Sequence, residues 1–263
     1  MLNLFLHTAI KAGRAILEIY NSKAYSIETK ADESPLTTAD LRSNAIINEA
    51  VRDLGLPVLS EENKAVPYSG RKDWKEFILV DPLDGTKEFI KRNGEFTVNI
   101  ALIRDGYPVM GVIYAPVLDV LYWGSEEHGS WKLEKASVKF NDKDPFKGAE
   151  KLPLNGTGNG SLRVVASKSH FSSETEDFVN SLETKGKDIE LVSRGSSLKL
   201  CLVAEGQADI YPRLGPTMEW DTAAGHAIAK YAGCRVEKFE NNKELEYNKE
   251  DLLNPWFIVK EAE

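Results

Sequence analysis

Cysteine is almost absent from this 263-residue chain. Cys201 and Cys234 are its two examples, too few for a disulfide framework. Cys201 lies within the apolar run Leu200-Cys201-Leu202-Val203-Ala204, the setting of a buried reduced thiol, and a cytoplasmic protein is expected. No run approaches the roughly 20 apolar residues of a membrane span. Positive charge is not in excess either. The formal net charge is −8, which argues against a nucleic-acid partner, because non-specific binding of that kind uses basic surface. A small anionic substrate stays compatible, since bound cations reverse a local field. Histidine is scarce: His7, His128, His170 and His226 have no metal-ligand spacing between them, and no Ser/His or Cys/His arrangement stands out. Most of them read as structural or surface residues.

The start Met1-Leu2-Asn3-Leu4-Phe5-Leu6 has no basic region before it, and His7, Lys11 and Arg14 interrupt any apolar core. Leu2, Phe5, Leu6, Ala9, Gly13, Ile16 and Tyr20 recur at helical spacing, which predicts an amphipathic helix and no targeting segment. A second helix is expected from Thr37 or Thr38 to Gly55, with Leu41, Ala45, Ile46, Ala50 and Leu54 on one face. Val58 to Ser60, Phe77 to Val80, Phe96 to Ile103, Val109 to Ala115, Val120 to Trp123 and Ser130 to Leu133 read as strands. The polar stretch Asn141 to Gly160 reads as a loop and as a subdomain boundary. Beyond it strands (Leu162 to Ala166, Ile189 to Val192, Ala208 to Tyr211, Trp256 to Val259) alternate with helices (Glu174 to Leu182, Ser197 to Glu205, Thr222 to Ala232). The expectation is an α+β half, residues 1–150, followed by an α/β half, residues 151–263.

The segment Leu79-Val80-Asp81-Pro82-Leu83-Asp84-Gly85-Thr86 is the most informative. An apolar strand delivers Asp81 at its end, Pro82 interrupts strand pairing, and Gly85 permits a tight turn before a helix start. Two aspartates three residues apart, beside outward-facing N–H groups, can hold hard cations against a phosphate. Taken alone, the same residues also describe a plain turn. Glu61 and Glu62 follow the short strand ending at Ser60, as in many solvated turns. Asp221, in Trp220-Asp221-Thr222-Ala223-Ala224-Gly225, stands where a helix N-cap belongs, and Asp40 lies in a first helical turn where the dipole favours an acid. The combination is stronger than any member.

These residues carry a resemblance. The segment 81–86 resembles the first signature of the inositol monophosphatase superfamily, the segment 220–225 its second, and Glu61 its upstream glutamate, in matching order along nearly the whole chain. The resemblance implies a layered α/β/α/β/α sandwich and Mg²⁺-dependent, Li⁺-sensitive hydrolysis of a phosphate monoester by a metal-activated water. It implies two or three Mg²⁺ ions held by Glu61, Asp81, the carbonyl of Leu83, Asp84 and Asp221. Asp40 and Thr86 would orient or deprotonate the attacking water, with Glu61 also catalytic, and Gly85 and Thr86 would donate to the phosphate.

Residues 89–99, 166–170, 195–201 and 211–217 are similar to the 3′(2′),5′-bisphosphate nucleotidases of the CysQ type, which take the 3′-phosphate from adenosine 3′,5′-bisphosphate, give AMP and support sulfate assimilation. Ser169, His170, Gly195, Ser196, Lys199 and Arg213 would then join Glu61, Leu83, Asp84, Gly85, Thr86 and Asp221 around the substrate. Physical reasoning adds to this. Lys199 in a first helical turn opposes the dipole and would gain from a nearby phosphate, as would Arg213. The alternative is that both pair with acids such as Glu205 or Glu219. Peripheral attachment to the inner membrane is allowed by the resemblance but not suggested by an acidic chain. The competing functions are an inositol monophosphatase or other sugar-phosphatase, and a nucleotide- or metal-sensing protein without catalysis.

Overall fold

The expected N-terminal helix is α1 (Leu2–Ser22), and each of its seven periodic residues is buried. The computed structural model describes residues 1–22, 27–29, 35–154, 160–166, 172–183 and 188–262. After α1 come the short pair β1 (Ile27–Thr29) and β2 (Pro35–Thr37), then α2 (Thr38–Val51), β3 (Val58–Ser60), α3 (Tyr68–Arg71), β4 (Glu76–Asp84) and α4 (Thr86–Lys91). A meander follows, β5 (Thr97–Arg104), β6 (Tyr107–Ala115), β7 (Val120–Ser125) and β8 (Gly129–Glu134), with α5 (Ala136–Lys139) just before the predicted loop and β9 (Glu150–Lys151) inside it. The second half is β10 (Leu162–Val165), α6 (Ser173–Glu183), β11 (Ile189–Val192), α7 (Leu198–Ala204), β12 (Ile210–Arg213), α8 (Glu219–Tyr231), β13 (Cys234–Lys238) and β14 (Phe257–Glu261). Strand β13 has no counterpart in the sequence reading. Its charged residues alternate with Val236 in a strand with one buried side.

Strands β3 to β9 form a seven-stranded sheet in sequential order, and β11-β10-β12-β14-β13 form a second sheet. Period-2 alternation assigns the faces. Phe77 and Leu79 of β4 enter a core with α7, α8 and the smaller sheet, while Ile78 and Val80 enter another with α1 and α2. Helix α6 packs on β11 and β12. The layers therefore run helices, sheet, helices, sheet, helix, the layered α/β/α/β/α sandwich. No helix among the described residues is long and apolar enough to cross a membrane.

Helix α2 corrects one reading. It buries Asp40, Ser43, Asn44, Ile47 and Val51, whereas Leu41 is 47 % exposed and Ala45 also faces out. The buried face is partly polar because it abuts the chain around Asp81 to Thr86, and hydrophobic periodicity cannot register a face that is buried for chemistry.

Helix α8 sits unusually close to the large sheet. Gly111 and Gly124 are cross-strand partners. A Cβ on Gly111 would stand 2.3 Å from the carbonyl oxygen of Ala224, and one on Gly124 would stand 2.8 Å from the Cα of Ile228. Both obstacles are backbone, so a methyl group can be accommodated only by lifting the helix. Gly111→Ala is expected to cost about 1–3 kcal/mol, seen as a lower unfolding midpoint, and to weaken activity because α8 carries Asp221.

Candidate active site

The parallel pairing of β3 with β4 sets Ser60 opposite Val80. The Glu61 N–H then donates to the Val80 carbonyl at 3.2 Å. Residues 20 apart in sequence thus become neighbours at the ends of two strands. Strand β4 pairs with β5 as far as Asp81–Asn99, is irregular through Pro82 and Leu83, and pairs again at Asp84–Thr97. The interruption turns Leu83 back so that its N–H donates to Asp81 Oδ1 at 3.1 Å, and the Pro82 carbonyl accepts from Ser43 of α2 at 2.7 Å. Gly85 follows at φ 92° and caps α4, a left-handed conformation that glycine adopts without a Cβ penalty.

Carboxylate oxygens of Asp81, Asp84 and Asp221 lie within 4.8 Å of one another. Glu61 is outside that tight group, yet its charge is felt by Asp81 and Asp221. Burial raises the Asp81 carboxyl well above the usual range, and the charges of Glu61, Asp84, Asp221 and Asp40 add to it. Asp221 is raised by burial and then by Asp84, against a donated Met218 N–H. Like charges this crowded call for cations. The donors are all hard oxygens, and the tight group consists of carboxylates, a set that fits Mg²⁺ and not a soft metal.

Asp221 is not an N-cap. Helix α8 begins one turn earlier, with Met218 at the cap, and Asp221 occupies the third position, where Oδ2 accepts the Met218 N–H at 2.8 Å. Asp40 likewise takes the third position of α2. Its Oδ2 accepts from the Thr37 N–H at 2.8 Å and hydroxyl at 2.5 Å, and its Oδ1 accepts from the Thr86 hydroxyl at 3.1 Å. Thr86 Oγ1 also lies 3.4 Å from the Leu83 carbonyl.

Asp84 is held from its other side. Oδ2 accepts from the Ser196 hydroxyl and the Ser197 N–H, both at 2.6 Å, and from the Asn99 amide at 3.4 Å. Thr97, Asn99 and Ser197 bond among themselves beneath it. The sequence reading passed over these three. Their signal was a pair of polar residues, Thr97 and Asn99, at alternate positions of an otherwise apolar strand, and both are buried.

A cleft of about 520 Å³ joins Asp84, Gly85 and Asp221 to Gly195, Ser196, Lys199 and Arg213. Lys199 Nζ donates to the Ser196 carbonyl at 2.6 Å; burial lowers its pKa, Arg213 lowers it further, and Asp84 pulls the other way. Arg213 is the last residue of β12, and its Nη2 donates to the Pro216 carbonyl at 2.7 Å. Its Nε is buried without a hydrogen-bond partner among the described residues. Glu205 is instead bonded to Lys132, at 3.0 Å, and to Tyr122, and Glu219 pairs with Lys249 at 2.5 Å. Glu205 and Glu219, the acids expected as alternative partners of Lys199 and Arg213, are therefore engaged elsewhere. Ser169 and His170 lie outside the described residues. His226 is buried between Tyr247 and Glu244, and His7 and His128 bond to Asp142 and Ser125.

Over residues 1–261 the sequence matches the model of the inositol monophosphatase family. The chain belongs to the inositol monophosphatase family. It is 46 % identical over 266 residues to the 3′(2′),5′-bisphosphate nucleotidase CysQ of Salmonella typhimurium, covering 98 % of this chain and 99 % of that one. Against the protein of the same name from Escherichia coli K12 the identity is 45 %, with the same coverage. Among solved structures, CysQ from Bacteroides thetaiotaomicron, described as a bacterial member of this family, superimposes with a TM-score of 0.88 at 48 % identity, covering 97 % of this chain and 95 % of that one. The extragenic suppressor protein SuhB of Bartonella henselae shares the family fold, with a TM-score of 0.74 at 22 % identity over 99 % of this chain and 93 % of that one.

Proposed function

We propose that the chain is a Mg²⁺-dependent 3′(2′),5′-bisphosphate nucleotidase that hydrolyses the 3′-phosphate of adenosine 3′,5′-bisphosphate to AMP and phosphate, in support of sulfate assimilation. The observation that carries this is one cleft lined by the aspartates Asp84 and Asp221 and also by the cations Lys199 and Arg213. The Arg213 Nε in that lining has no hydrogen-bond partner among the described residues. A substrate with two phosphates answers both sets of residues. Near-full-length identity to proteins named for this activity supports the same reading.

Glu61, Asp81, the Leu83 carbonyl, Asp84 and Asp221 hold two or three Mg²⁺ ions, and Li⁺ inhibits. Bound Mg²⁺ acidifies water and neutralises charge developing on the phosphate. Asp40 holds the Thr86 hydroxyl by accepting its hydrogen bond, which leaves the Thr86 oxygen able to accept from an attacking water. Gly85 caps α4 and Thr86 opens it, and backbone N–H groups at a helix start lack intrahelical acceptors and can meet phosphate oxygens. Residues 1–150 supply most of the metal ligands and residues 151–263 the selectivity for the nucleotide. Two buried free thiols accord with a cytoplasmic setting.

Phosphate release from adenosine 3′,5′-bisphosphate is expected to exceed that from inositol 1-phosphate by at least tenfold in kcat/KM. Preference for the inositol ester would overturn the proposal. Lys199→Ala is expected to raise KM for the bisphosphate about tenfold or more, the cost of one charge-assisted hydrogen bond. Hydrolysis of adenosine 3′-monophosphate should barely change. Equal losses on both substrates would remove Lys199 from the second phosphate site.

A further inference from the structure

Asp221 reaches the acidic cluster from the first turn of α8, and that turn is gripped by a loop far along the chain. The Thr217–Met218 peptide is bonded at both ends. Its N–H donates to Asp221 Oδ2 at 2.8 Å, and its carbonyl accepts the Asn254 N–H at 2.8 Å. The carbonyl of the next peptide, at Met218, accepts from the Asn254 side-chain amide at 2.8 Å. The same amide lies 3.0 Å from the Thr222 hydroxyl and 3.3 Å from that of Thr217. Asn254 is 4 % exposed, so these bonds are not traded with water.

The loop holding Asn254 is itself anchored. The buried Glu219 carboxylate accepts from the Asn248 N–H at 2.7 Å and the Lys249 N–H at 3.0 Å. Arg71, 2 % exposed, donates to Asn248 Oδ1 and to the carbonyls of Lys249 and Glu250. Arg71 lies between β3, which ends just before Glu61, and β4, which carries Asp81. The Asp221 side of the cluster is thereby fixed to the connection that joins the strands of the other side.

We propose that Asn254 is a positioning residue of the metal site, which aims Asp221 by holding both peptides that flank Met218. The inference rests on Asp221 being a metal ligand. Partners that orient ligands in this way typically change metal affinity by about 10- to 100-fold when removed. Asn254→Ala is the sharper variant, because it removes the donor without adding charge. Asn254→Asp keeps the shape but puts a carboxylate oxygen and a negative charge against the Met218 carbonyl.

Isothermal titration of the substrate-free variants with Mg²⁺ is expected to show affinity about 10- to 100-fold below wild type. At saturating Mg²⁺, kcat on adenosine 3′,5′-bisphosphate should return to near wild type. Leu133→Ala, fully buried in β8 of the large sheet and not among the residues that line the cleft, serves as a control that lowers stability without touching this clamp. Wild-type Mg²⁺ affinity in Asn254→Ala, or a loss no larger than that of the control, would overturn the inference. Because that titration contains no nucleotide, failure of the wild type to cleave the bisphosphate would refute the proposed substrate and leave this inference standing.

Discussion

Asp84→Asn is expected to lower Mg²⁺-dependent turnover by at least about a hundredfold, beyond what removal of an orienting partner costs. The substitution isolates charge. An asparagine oxygen can still accept from the Ser196 hydroxyl and the Ser197 N–H, both at 2.6 Å from Asp84 Oδ2. The group turned toward Asp81 and Asp221 then becomes a neutral amide. Removing one negative charge also relieves the repulsion that raises the Asp81 carboxyl, so the metal-free variant should be no less stable than wild type in EDTA. Wild type, by contrast, should gain about 2.7 kcal/mol when Mg²⁺ reaches a hundred times its dissociation constant, or roughly 5 °C or more in unfolding midpoint for a chain of this size. Differential scanning calorimetry with and without Mg²⁺ reads this directly. A variant that keeps the full Mg²⁺-dependent shift, or near-wild-type turnover, removes Asp84 from the metal site.

Asp40→Asn and Thr86→Ala are each expected to lower kcat by about 10²- to 10⁴-fold, the range for a positioned proton-transfer group, while Mg²⁺ affinity changes little. The two residues act through one hydrogen bond. The double variant should therefore be scarcely worse than either single one, as expected of groups that work as a unit. Asp40 has a second duty, because its Oδ2 closes the capping box of α2 with Thr37. Asp40→Asn is accordingly expected to lower stability by roughly 1 kcal/mol, the value of a helix cap, and Thr86→Ala is not. Additive losses in kcat, or two variants that differ only in stability, would separate Asp40 from the chemistry.

The sequence by itself determined most of the strands and helices and the chemical identity of the cluster. Apolar, strand-like runs defined β4 to β8, helical spacing defined α1, and the acids at 61, 81, 84 and 221 stood at strand ends and helix starts, where backbone geometry exposes side chains. These signals are local, and local patterns survive in a linear reading. The burial of α2 was misread, because its inward face carries Asp40, Ser43 and Asn44, and a functional interior need not be apolar. Only the tertiary structure decided how the acids meet. Parallel pairing of β3 and β4 set Glu61 beside Asp81, and glycines at 111 and 124 let α8 approach closely enough to bring Asp221 in. It also decided that Glu205 and Glu219 were spent on Lys132 and Lys249. Which partner a buried charge takes depends on distances between segments remote in sequence, and that choice left Lys199 and Arg213 facing the same cleft as the aspartates.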